Sequence, residues 1–169
     1  MPPRQSDLEL RPTRADFLLD LRIVRCGWVV FALSVLAALS GLLGRGPLSS
    51  ATSGEAGAPL RAEYHRFERY ESPTELRLHI TPELARNGTL RVWIDRRFLE
   101  ALALENVLPQ PDTVELGTDR HTYVFAAPKL GGPTAITFRY KPTVKFRTVP
   151  VRLGTEGGPE LAFWQFVYP

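Results

Sequence analysis

The feature that most constrains this chain is the run from Cys26 to Gly44, nineteen consecutive residues without a charge, closed on either side by Arg25 and Arg45. At about 1.5 Å per residue a helix of that length covers ~29 Å, close to the ~30 Å hydrocarbon core of a bilayer. The run therefore predicts a transmembrane helix over 26–44. The rest of the chain divides around it into a polar tail (1–25), a Gly/Ser-rich linker (45–59) and one domain-sized segment (60–169).

Orientation follows from the arginines. Arg11, Arg14, Arg22 and Arg25 precede the run closely, whereas Arg45 stands alone for fifteen residues after it. The positive-inside rule then puts the N-terminal tail in the cytoplasm and the large domain outside, in the periplasm or at the cell exterior. From Asp16 the order of Phe17, Leu18, Leu21 and Val24 has helical spacing and leads into the run. The competing reading is a cleaved signal peptide, with small-residue sites at Ser49-Ser50-Ala51 and Ala56-Gly57-Ala58; the apolar run is longer than an ordinary signal core.

Within the run, Ser34, Ala37, Ala38, Gly41 and Gly44 recur every three or four residues and form a candidate face for packing against another helix in lipid. Trp28 suits an interfacial position. Cys26 is the only cysteine, so no disulfide can form within the chain and the outer domain must rest on its packed core.

After Leu60 the pattern changes to short alternating segments. Thr74–Ile80 places Leu76, Leu78 and Ile80 on one face and Glu75, Arg77 and His79 on the other; Leu90–Ile94 repeats the device, and 121–127 and 161–168 are rich in strand formers. Asn87-Gly88 marks a tight hairpin turn, Pro82 a turn, and Asp95 an N-cap for one short helix through Ala101. No amphipathic helix long enough for crossover connections follows the apolar run. The expected fold is mainly β, an antiparallel β-sandwich of the immunoglobulin or fibronectin kind.

Function classes narrow by exclusion. A net charge of +3, with 15 basic and 13 acidic residues between Leu60 and Pro169, is too balanced for a nucleic-acid surface. His65, His79 and His121 lack metal-ligand spacing, Ser72 lacks a nucleophile-elbow setting, and Gly131-Gly132-Pro133 and Gly157-Gly158-Pro159 read as turns rather than phosphate cradles. No catalytic residue, cofactor or metal is expected. The most informative patch alternates Phe138, Tyr140, Val144 and Phe146 with Arg139, Lys141, Lys145 and Arg147; carried through Pro142, the alternation turns the aromatics inward and the four cations outward. Arg139, Lys141, Lys145 and Arg147 are the candidate interaction residues, toward anionic lipid, anionic glycan or an acidic partner, against the plainer reading of charges matched by neighbouring strands. The aromatic end, Phe163 to Tyr168, reads as a strand closing the sheet, with Phe163 or Trp164 and Phe166 reaching the core.

The sequence thus predicts a single-pass, non-enzymatic protein of the membrane whose outer β domain binds or stabilises an integral-membrane or envelope protein. The alternatives are a tethered adhesion or glycan-binding module and, further off, an envelope enzyme with Trp93, Trp164, Asp95 and Glu100 along a sugar groove.

Overall fold

A computed structural model of the protein describes residues 14–39, 48–126 and 134–169. The chain divides into two compact units, Met1–Leu39 and Ser40–Pro169.

Among the described residues the first unit contains one helix, α1 (Arg14–Leu39). Ile23, Trp28, Phe31, Leu33, Leu36 and Leu39 are each at least 60% exposed, and at 100° per residue these six positions surround the axis. Among the described residues no helix is long and apolar enough to cross a membrane. The span expected over 26–44 is therefore not shown: α1 carries that run as far as Leu39, about 21 Å of helix, and residues 40–44 lie outside the described residues.

The second unit is a two-sheet β-sandwich. Its strands are β1 (Ser50–Ser53), β2 (Leu60–His65), β3 (Phe67–Arg69), β4 (Thr74–Ile80), β5 (Thr89–Asp95), β6 (Leu102–Leu108), β7 (Thr113–Leu116), β8 (Arg120–Ala126), β9 (Thr134–Pro142), β10 (Arg147–Thr155) and β11 (Glu160–Tyr168), with one short helix, α2 (Arg96–Glu100), between β5 and β6. Sheet A has the order β1-β2-β4-β9-β6 and sheet B the order β3-β11-β10-β5-β8-β7. All pairings are antiparallel except β3 with β11, which is parallel.

The period-two pattern sets the core. Leu76 and Leu78 of β4 pair in register with Phe138 and Ile136 of β9, Ile80 and Tyr140 lie at either end of the same inner face, and Leu60 and Ala62 of β2 extend that face of sheet A. Sheet B answers with Leu90, Val92 and Ile94 from β5, Tyr123 and Phe125 from β8, and Val149, Val151 and Leu153 from β10. Interleaved apolar faces of this kind remove most of the core's area from water and supply the main driving force for folding in the absence of a disulfide. Phe98 of α2 plugs one end, its ring edge-on to Tyr140 at 5.7 Å.

Local signals act as the residues dictate. Asn87 and Gly88 both adopt positive φ, 51° and 74°, and Arg86 and Thr89 exchange two backbone hydrogen bonds across them, the turn that matches strand twist. Asp95 caps α2 by accepting from the Arg97 amide at 2.7 Å. Two features lie outside what the sequence suggested. Ser50–Ser53, inside the stretch read as a tether, pairs along β2 as the edge of sheet A. The chain also changes sheets at Arg66, so β2 and β3 follow one another in sequence but belong to opposite layers.

Candidate functional site: an aromatic outer face and a buried carboxyl

The four cations singled out in the sequence do not share one face. Arg139 and Lys141 project from β9 on the outer side of sheet A. Arg139 Nε lies 3.9 Å from Glu75 Oε2, and Lys141 Nζ lies 2.5 Å from Glu105 Oε1, acids carried by the flanking strands β4 and β6. Such half-exposed pairs contribute at most about 1 kcal/mol each. Lys145 and Arg147 come after Pro142, where β9 has ended and the chain crosses to sheet B; Lys145 Nζ sits 4.1 Å from the Tyr70 ring centroid. Pro142 ends the alternation, so Phe146, expected to face inward, is 75% exposed. Its φ of 46° is left-handed, a costly conformation for a bulky side chain.

In the candidate helix face, Ser34 Oγ donates to the Val30 carbonyl of its own helix at 2.8 Å, and Ala38 is exposed. Ala37 lies within α1, and Gly41 and Gly44 fall outside the described residues.

The feature that sequence reasoning missed is the outer face of sheet B. Register with β10 puts Gln165 and Val167 of β11 inward, which turns Trp164, Phe166 and Tyr168 outward. This reverses the expectation for Trp164 and Phe166; Phe163 does turn inward and stacks on Tyr64 at 3.9 Å. Trp164 remains 49% exposed beside Phe67 of β3, with ring centroids 6.4 Å apart, and Pro150 lies opposite it on β10. Farther along the same face, Trp93 packs so closely over Gly154 that a Cβ there would meet its ring at 2.9 Å, and the Arg120 guanidinium stands 5.3 Å from the ring centroid.

Beneath this face lies a polar cluster in an otherwise apolar core. Glu68 of β3 is 4% exposed and Gln165 is 2% exposed. Glu68 Oε1 accepts from Tyr140 OH at 2.9 Å, Gln165 Nε2 at 2.9 Å and Thr74 Oγ1 at 3.1 Å, while Gln165 Nε2 also donates to the His65 carbonyl at 3.0 Å. Burial dominates its titration, pushing the Glu68 carboxyl up to about 7 against the lowering effect of those three donors. The Tyr140 hydroxyl is likewise raised well above its ordinary value by burial and by the neighbouring carboxylate. Among the described residues no group of three His, Cys, Asp or Glu side chains converges to hold a metal.

No known protein family matches the chain, and no characterised protein matches its sequence. Solved structures include similar chains. Among them is a cohesin module from a Clostridium perfringens family 33 glycoside hydrolase, 13% identical, covering 70% of this chain and 98% of that chain, with a TM-score of 0.41. A superposition this loose at this identity carries nothing about partners or activity. The two-sheet sandwich stands on the strand pairings alone.

Proposed function

We propose that this protein is a single-pass, non-enzymatic membrane protein whose extracytoplasmic β-sandwich binds or stabilises another membrane or envelope protein through the outer face of sheet B. The observation that carries the binding role is the half-exposed Trp164 on the outer face of sheet B, flanked by the partly buried Phe67, Phe166 and Tyr168. Large apolar side chains grouped on a surface mark interaction sites, and Trp and Tyr dominate the energetics of such contacts. Phe146, exposed and held in a strained backbone conformation, adds to this support.

The anchor rests on the sequence, where the nineteen uncharged residues from Cys26 have the length that crosses a hydrocarbon core. In the sequence the uncharged run continues to Gly44, and the arginines before it favour a cytoplasmic N-terminus.

The test is affinity capture of the full chain from gently solubilised membranes, comparing wild type with Trp164→Ala and with Phe146→Ser. The expected result is a stoichiometric integral-membrane companion lost in Trp164→Ala and reduced in Phe146→Ser. Recovery of the chain alone in several detergents, or undiminished capture by both variants, would overturn the reading. Replacing 26–44 with an unrelated apolar helix separates a partner subunit, which weakens, from a displayed adhesion module, which does not.

A further inference from the structure

The sandwich is tied down at the point where the chain enters it. Ser49 is fully buried; its carbonyl accepts from the Arg66 amide at 2.7 Å, and its hydroxyl donates to the Phe67 carbonyl at 3.2 Å. Residues 45–48 alone therefore separate this fixed point from the uncharged run that ends at Gly44. Four extended residues reach at most ~14 Å. Register places the rest of this end: Phe67 lies beside Phe166, and Phe166 lies opposite Thr148. Ser49 thus enters two residues short of the level of Phe146, about 7 Å along the strands, and two strands, about 10 Å, to one side. The turn after β3 shares this end, because the Glu71 amide donates to the Pro142 carbonyl at 3.0 Å.

Two large apolar side chains point into solvent here, Leu48 at 52% exposure and Phe146 at 75%. Arg66, Arg69, Lys145 and Arg147 are exposed around them, and among the described residues none of the four is in an ion pair. The acid at this end, Glu71, faces the Tyr70 hydroxyl instead. Cations on the sheet faces are matched: Arg61, Arg77, Arg91, Arg139, Lys141 and Arg152 each pair with a glutamate. An apolar tip ringed by unmatched cations has the chemistry of a group that enters a lipid surface, with the ring at the acyl boundary and the cations at phosphates.

We propose that this end of the sandwich docks on the bilayer surface, with Phe146 and Leu48 at the boundary between headgroups and acyl chains and with Arg66, Arg69, Lys145 and Arg147 against lipid phosphates. The docking rests on the anchor proposed above, since residues 45–48 are what bring this end to the surface. The headgroup zone is itself about 5–7 Å deep on each side, so a tether of that length holds the entry point within reach of it. Docking also holds the outer face of sheet B at a fixed height over the membrane. Phe146 then serves the protein contact indirectly, by orienting the face that carries Trp164.

The test uses the full chain with Cys26→Ser, reconstituted without any other protein in vesicles of phosphatidylcholine and phosphatidylglycerol. A spin label is placed on Thr143→Cys, in the loop before Phe146, or on Glu83→Cys, between β4 and β5 at the far end, and its collisions with a water-soluble nickel chelate are measured. The label at 143 is expected to be shielded and the label at 83 to stay open. Phe146→Ser, at an exposed position where no core contact is lost, lowers the ratio of docked to free domain about tenfold or more, the factor for leaving a phenylalanine ring in water. Lys145→Gln and Arg147→Gln lower it about fivefold each. Equal access at 143 and 83, or shielding unmoved by Phe146→Ser or by the paired glutamine substitutions, would overturn the docking and assign Phe146 to a direct protein contact. Flotation of the chain with the vesicles after a carbonate wash would then leave the anchor standing; a chain washed free would overturn the anchor and the docking together.

Discussion

Replacing Gln165 with leucine isolates the energetics of the polar cluster, because the two side chains are similar in size and no cavity is opened. Gln165 donates to the His65 carbonyl at 3.0 Å and to Glu68 Oε1 at 2.9 Å, and its amide oxygen lies 3.2 Å from the Tyr140 hydroxyl. Gln165→Leu leaves the His65 carbonyl without that donor and takes one donor from Glu68, a combined loss of about 3 kcal/mol. By the same reasoning Glu68→Leu costs about 2 kcal/mol and Tyr140→Phe about 1 kcal/mol. Independent effects would sum to about 6 kcal/mol, but the triple variant removes most of the stranded partners together and should lose only about 3 kcal/mol. Urea unfolding of the full chain in mild detergent at pH 6, followed by tryptophan fluorescence, measures each value. A triple variant that loses the full sum would refute the view that these residues act as one unit.

Stability should also depend on pH through Glu68. Its folded value of about 7 lies above the ordinary 4.5, so the folded state holds the proton more tightly; the stability this gives is complete below pH 4.5 and disappears as pH rises through 7, about 3 kcal/mol in all. Urea midpoints of wild type should fall across that window relative to Glu68→Gln. Gly154→Ala places a Cβ 2.8 Å from the Pro159 carbonyl oxygen and 2.9 Å from the Trp93 ring, and should cost about 1–3 kcal/mol with a change in tryptophan emission. Asn87→Val puts a β-branched side chain at φ 51° and should lower stability by about 1–2 kcal/mol in thermal unfolding. Lys141→Ala, which breaks only the half-exposed pair with Glu105, should move it by less than about 1 kcal/mol.

The sandwich was legible wherever residues carried their own periodicity. Leu76, Leu78 and Ile80 alternate whatever their neighbours do, Asn87-Gly88 encodes its turn, and Asp95 encodes its cap. β1 was not legible because Ser-Ala-Thr-Ser has no apolar face; its strand conformation comes from β2, and pairing with a partner is not written in the segment itself. The inward place of Gln165 was hidden for a related reason. Among Phe163, Trp164, Phe166 and Tyr168 either parity buries aromatics, and it is the register with Val149 and Val151 that decides between them. Phe146 was misplaced because an alternation was carried through Pro142, beyond which the chain leaves one sheet for the other. Glu68, within Phe-Glu-Arg, looks like any surface acid until β3 is seen to lie against β11.

The parallel contact between β3 and β11 joins residues ninety-nine positions apart, Phe67 beside Phe166. A growing polypeptide therefore cannot complete β3 until β11 exists. Until then the first crossing between layers has no neighbour on that side, and an acid destined for the interior stays in water. Contacts spanning so much sequence form slowly, which makes the docking of β11 beside β3 a late step in an assembly begun by earlier strands.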